Sequence, residues 1–163
     1  MSGASIGRPF FPRVMTTEEN RSNVAIFFCQ QLDPDQDVNR RALEKELGTR
    51  IRFFPLPCSG RIEALHLMRA LEAGADKAYL VTCPVGACRY REGNIRAKKR
   101  VEFAQKLIQE IGLEPERFEL VNASSPGPFS IDAMARELIN KAGGLPSSPL
   151  NVKKPKEAAH NTP

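Results

Sequence analysis

The feature that most constrains this chain is a fourfold recurrence of a short apolar run followed by a segment with helical spacing. Val24–Cys29 (VAIFFC) is the first such run, and Ile51–Leu56 (IRFFPL), Ala78–Thr82 (AYLVT) and Phe118–Val121 (FELV) follow it. Between and after them, Asp37–Leu47, Ile62–Ala73, residues 95–111 and Ile131–Ala142 carry apolar residues three and four apart. Gly74, Gly112 and Gly143 stand where these helices should stop. Strands that alternate with helices predict a parallel sheet, and apolar strands with little polar alternation predict cover on both faces. The expected fold is therefore α/β: a small doubly wound, flavodoxin-like parallel sheet of about four strands with helices on both faces.

This pattern occupies residues 23–142, one domain's worth of chain. Residues 1–22 read as a flexible leader, with no apolar stretch of signal-peptide length. Residues 143–163, rich in Gly, Pro, Ser and Lys, read as a disordered basic tail. No run approaches a membrane span, so a cytoplasmic, reducing location is expected. The net charge of +5 invites a nucleic-acid reading. Its distribution argues against one: Arg89, Arg91, Arg96, Lys98, Lys99 and Arg100 face only Glu92 within their stretch, and the rest of the domain is net acidic. A local basic patch without stacking aromatics suits an acidic partner better than RNA.

The chemistry lies in the four cysteines. Cys29 ends the first strand, Cys58 follows the second, Cys83 follows the third, and Cys88 completes a C-x4-C loop. In an open α/β sheet the carboxyl ends of parallel strands share one edge, where ligands bind. All four thiols are thus expected at one place. One buried cysteine would mean little, since the residue behaves as a small hydrophobe. Four at the same edge of a reduced protein point to metal or redox chemistry. The spacing admits an iron–sulfur cluster, a four-thiolate zinc site, or a thiol redox sensor cycling a Cys83–Cys88 disulfide. An iron–sulfur centre fits a fold that needs no metal staple.

The surroundings suit an anionic centre. Gly60 and Gly86 are expected to bring backbone N–H groups close to sulfur, and Arg61 and Arg89 to offset charge. Asn122, Ser124 and Ser125 follow the fourth strand at the same edge. Lys98, Lys99 and Arg100 form either a solvated helix face or a docking patch. Of the two histidines, His160 lies in the tail and His66 reads as a helix-face residue. No Ser-His-Asp set, GxGxxG or Gly-Lys-Ser/Thr loop is present, which agrees with electron transfer without acid–base catalysis.

The segments Cys58-Ser-Gly-Arg61, Cys83-Pro-Val-Gly-Ala-Cys88-Arg-Tyr-Arg-Glu-Gly-Asn94, Arg96 to Arg100 and Leu113 to Arg117 resemble the delta subunit of methyl-viologen-reducing (F420-non-reducing) hydrogenase. The resemblance spans roughly residues 24–142. It implies a 2Fe–2S electron-transfer protein whose cluster is held by Cys29, Cys58, Cys83 and Cys88, with Tyr90 and Asn94 among the matching motif residues. It also implies partners: a hydrogenase or formate dehydrogenase on one side and a heterodisulfide reductase A-like flavoprotein on the other. Two departures stand out. The family's opening C-x-x-C has Leu32 as its second member here, and its His-Pro-Gly-Asp is here Pro84-Val85-Gly86-Ala87. A zinc-binding module, or a docking module without a cluster, are the alternatives.

Overall fold

A computed structural model of the protein describes residues 22–123 and 129–151. Four strands, β1 (Val24–Cys29), β2 (Ile51–Leu56), β3 (Lys77–Thr82) and β4 (Phe118–Asn122), alternate with four helices. The helices are α1 (Gln36–Leu47), α2 (Ala64–Glu72), α3 (Gly93–Glu110) and α4 (Ile131–Ala142). All strand pairs are parallel, in the order β2-β1-β3-β4. That is the flavodoxin-like winding, in which the chain reverses direction between β1 and β3.

The two central strands are buried along their whole length, which is why they read as unbroken apolar runs. Their side chains divide between two cores. Ala25 and Phe27 join Ala78 and Leu80 beneath α2 and α3, with Leu67, Leu71, Ala97, Val101 and Ile108. Val24, Ile26 and Phe28 join Tyr79 and Val81 beneath α1 and α4, with Leu43, Ile131 and Leu138. The Tyr79 hydroxyl donates to the Leu138 carbonyl at 3.1 Å and so ties α4 to the sheet. The edge strand β2 alternates buried Ile51 and Phe53 with exposed Arg52 and Phe54. It also accommodates Pro55, which costs no ladder bond on an open edge.

Two boundaries differ from expectation. The second helix begins at Ala64 rather than Ile62. Ser59–Arg61 form a 3-10 turn, Ile62 leaves it extended, and Glu63 caps the helix while its N–H donates to His66 Nδ1 at 3.0 Å. His66 is therefore a capping residue. The second difference is at the C-terminus: residues 143–151, expected to open a disordered tail, are packed through buried polar contacts that composition does not reveal. Ser148 N–H and Asn151 Nδ2 donate to one oxygen of buried Asp76 at 2.6 and 2.7 Å, while Asn23 N–H donates to the other at 2.8 Å. The remainder of the expected tail and the leader lie outside the described residues, except Ser22.

Arg117 holds this end of the molecule together. Its side chain is fully buried, and it donates to the Glu114 carboxylate (2.7 Å), the Asp76 carbonyl (2.9 Å) and the Pro146 carbonyl (3.2 Å). Removing the guanidinium orphans these acceptors, and a lysine cannot reproduce the planar fork. Arg117→Ala is expected to cost about 3–5 kcal/mol, and Arg117→Lys to recover only part of it. Urea denaturation midpoints at unchanged slope check this.

Candidate functional site

The carboxyl edge of the sheet gathers the four thiols in two pairs. Cys29 and Cys83 leave β1 and β3 on either side of the point where the winding reverses, and their sulfurs lie 3.6 Å apart. Cys58 and Cys88 form the second pair, hydrogen-bonded to each other and packed against Gly93 at the start of α3. Thus the two cysteines of the C-x4-C loop do not partner one another: Cys83 turns to Cys29 and Cys88 to Cys58. All four are free thiols, and 3.6 Å is far beyond the roughly 2.05 Å of a disulfide. A sensor that cycles a Cys83–Cys88 disulfide would need different partners from those the fold provides.

The thiols differ electrostatically. Cys29 and Cys83 are buried. Burial, then the hydrogen bond with Cys29, pushes the Cys83 thiol up to about 12. Burial also raises Cys58, against an opposing N–H from Gly60. Cys88 goes the other way. Partial burial pushes it up, but the N–H groups of Tyr90, Gly93 and Asn94, with the Cys58 thiol, together bring it below the ordinary thiol value. These amides belong to the turn and first residues of α3, whose dipole also favours a thiolate.

Two glycines make the approach possible. A Cβ on Gly93 would lie 2.4 Å from Cys58 Sγ and 2.9 Å from Cys88 Sγ, and one on Gly60 would lie 2.8 Å from Gly93 Cα. Gly60 is expected here from the sequence. Gly93 is not, although it stands in the cysteine-loop motif; only the fold reveals that α3 starts against the Cys58 turn. Gly86 has a conformational part in the loop. No atom lies near its Cβ position, and its φ of +82° closes a turn in which Ala87 N–H donates to Pro84 O at 3.0 Å. It shapes the loop that carries Cys88.

Further residues expected at the site prove to be braces. Arg100 does not belong to a solvated or docking face. It is half-buried, reaching back to donate to the Gly60 and Ile62 carbonyls at 2.7 and 2.6 Å, which fixes the turn carrying Cys58. Asn94 is buried and donates to the Pro84 carbonyl at 3.2 Å, joining α3 to the Cys83 loop. Asn122 accepts from Thr82 Oγ1 at 2.7 Å, and Ser124 and Ser125 lie outside the described residues. Leu32 packs into the core beneath α1 and α4. Its loop is held by Asp33, which accepts from the N–H groups of Asp35 and Ile131 and from Asn39 Nδ2.

At the surface, Arg89 donates to Gln31 Oε1 at 3.2 Å, linking the loops after β3 and β1. Arg61, Tyr90 and Arg96 rim a cleft of about 400 Å³ whose wall includes Cys58. Lys98 and Lys99 remain exposed. Val85 and Ile95, not anticipated from the sequence, add exposed apolar surface in the same stretch as Tyr90. No helix among the described residues is long and apolar enough to cross a membrane.

The donor set fits a thiolate-bound metal group. Two thiolates about 2.3 Å from one tetrahedral metal lie about 3.8 Å apart, close to the Cys29–Cys83 separation. Among the described residues, no group of three or more His, Cys, Asp or Glu side chains is already placed to hold a metal ion. Gly93→Ala is expected to push the Cys58 and Cys88 sulfurs apart and cost the apoprotein about 1–3 kcal/mol. Thermal unfolding of the metal-free protein measures it.

Comparison with known proteins shows the family. Residues 24–145 match the family model described as methyl-viologen-reducing hydrogenase, delta subunit. The chain is 35% identical over 95 residues to the iron-sulfur subunit of the F420-non-reducing hydrogenase vhu of Methanopyrus kandleri, covering 58% of this chain and 72% of that protein. It is 33% identical over 104 residues to the iron-sulfur subunit of the F420-non-reducing hydrogenase of Archaeoglobus profundus, covering 64% and 76%. It is also similar to the A-type subunit of the ferredoxin/F(420)H(2)-dependent CoB-CoM heterodisulfide reductase of Methanosarcina acetivorans. That match is 35% identical over 94 residues, 55% of this chain but 12% of the much longer reductase protein. Because the family model covers residues 24–145, most of its length, this chain belongs to the methyl-viologen-reducing hydrogenase delta subunit family.

Proposed function

We propose that this protein is an electron-transfer subunit of a redox complex and that Cys29, Cys58, Cys83 and Cys88 hold a 2Fe–2S cluster. The observation that carries the reading is the pairing of thiols from three separate strand ends, two by two, at the point where the sheet reverses its winding. A bound 2Fe–2S cluster supplies a one-electron couple. The protein's part is to present four sulfurs, to lower the cost of negative charge with backbone N–H groups around Cys58 and Cys88, and to keep Cys29 and Cys83 away from water. No general acid or base is needed.

The comparisons support the kind of partner. Relatives are named as hydrogenase iron–sulfur subunits, and a related segment lies inside a heterodisulfide reductase A-type chain. A module found within that reductase chain in one organism is suited to dock on its counterpart in another. Electrons would then pass between a hydrogenase or formate dehydrogenase and a heterodisulfide reductase A-like flavoprotein. The docking surface is the rim around Cys88: exposed Val85, Tyr90 and Ile95 supply apolar area, and Arg61, Arg89, Arg91, Arg96, Lys98 and Lys99 surround it with positive charge. An acidic rim around an apolar patch is the complement it asks for.

Protein purified without oxygen is expected to be brown and to hold about two irons per chain, with Ser at any of the four cysteine positions lowering that content. Iron analysis and visible absorption decide it, and a colourless preparation that also resists reconstitution would falsify the reading. For docking, the double substitution Lys98→Glu with Lys99→Glu is expected to slow association with the reductase protein about tenfold at low salt, and less as salt rises. Biosensor association rates across a salt series report it. Because both lysines are solvent-exposed and lie a turn or more along α3 from Gly93, iron content should stay unchanged.

A further inference from the structure

Among the described residues, two buried side-chain polar atoms have no hydrogen-bond partner, Arg50 Nε and Ser59 Oγ. Arg50 precedes β2 at the far end of the sheet, away from the thiols. Ser59 is different. It is 1% exposed and sits between Cys58 and Gly60, in the 3-10 turn that packs against β1, β3 and the start of α3. Those are the elements that deliver Cys29, Cys83 and Cys88. A buried donor without an acceptor therefore lies beside Cys58, in a turn packed against the strands that end at Cys29 and Cys83 and against the helix that starts beside Cys88.

A buried hydroxyl left unpaired costs on the order of 1–3 kcal/mol, and folded proteins leave few. The turn is not loosely held, so the orphan does not reflect a mobile side chain: Arg100 clamps the Gly60 and Ile62 carbonyls, and Gly60 packs on Gly93. A rigid turn with a missing acceptor points to a group that arrives later and brings one. A thiolate-bound iron–sulfur group carries negative charge on sulfur atoms that accept hydrogen bonds, and such bonds raise its reduction potential by stabilising the more negative, reduced state. We infer that Ser59 is a tuning residue whose hydroxyl donates to a sulfur of the bound cluster. This rests on the electron-transfer reading above and adds to it a side-chain donor beyond the cysteines.

Ser59→Ala tests it in two independent ways. In the metal-free protein the hydroxyl has no partner, so its removal is expected to leave urea stability equal to or above that of the wild type; a clear loss would mean that it bonds to protein and would overturn the inference. In the cluster-loaded protein, the variant is expected to keep the wild-type iron content but show a more negative midpoint potential in an EPR-monitored redox titration. Resonance Raman spectra should also lose a deuterium-sensitive shift of a cluster mode in heavy water. A stable Ser59→Ala apoprotein that takes up no iron under conditions that load the wild type overturns the tuning role, because it makes the hydroxyl a requirement for assembly. An unchanged potential with unchanged Raman shifts overturns the role of Ser59 and leaves the cluster reading intact, whereas wild-type protein that never binds iron overturns both.

Discussion

The parallel alignment of β1 with β2 and β3 is the constraint on which everything else here depends. Parallel pairing sends each strand's carboxyl end to the same edge, so residues separated by tens of positions along the chain meet without any local motif joining them. Reversal of winding between β1 and β3 then parts the loops that follow them and opens a crevice at that edge. Cys29 and Cys83 stand on its two walls, close enough for their sulfurs to touch. An antiparallel arrangement of the same strands would scatter the thiols between two ends of the molecule.

A second layer of structure holds the outer pair. Cys58 lies on a turn with few side chains of its own to anchor it, and the anchoring comes from α3. Arg100 reaches the carbonyls of that turn, Gly93 lets the helix start against Cys58 and Cys88, and Asn94 fixes the Cys83 loop through Pro84. One helix thus sets the relative position of three cysteines. The same helix start provides amide donors for Cys88, so mechanical support and electrostatic support come from the same few residues.

The contrast among the thiols follows from where each lies. Cys29 and Cys83 are buried at the ends of the central strands, and burial there penalises the Cys83 thiolate. Cys88 sits at the rim with amide N–H groups aimed at it, and the exposed apolar and basic residues gather on that side. The exposed apolar and basic residues thus lie on the side of the less buried Cys88 rather than beside Cys29 and Cys83. Leu32, in the loop after β1, packs partly buried against the core beneath α1 and α4.

The order of apolar runs and helical segments determined the class of fold, because strand and helix periods are written directly in the spacing of apolar residues. It also determined that the four cysteines lie at strand ends, which is a matter of counting along the chain. The winding direction, the partners within the thiol set and the work of Gly93, Arg100 and Asn94 were decided only by the tertiary structure. Each depends on contacts between segments far apart in the chain, as between Arg100 and Gly60, or on a backbone approach that a glycine permits but does not announce. The packing of residues 143–151 belongs to the same class: a Gly- and Pro-rich composition predicts disorder, but Asp76 and Arg117, buried far away in sequence, supply the hydrogen bonds that hold it.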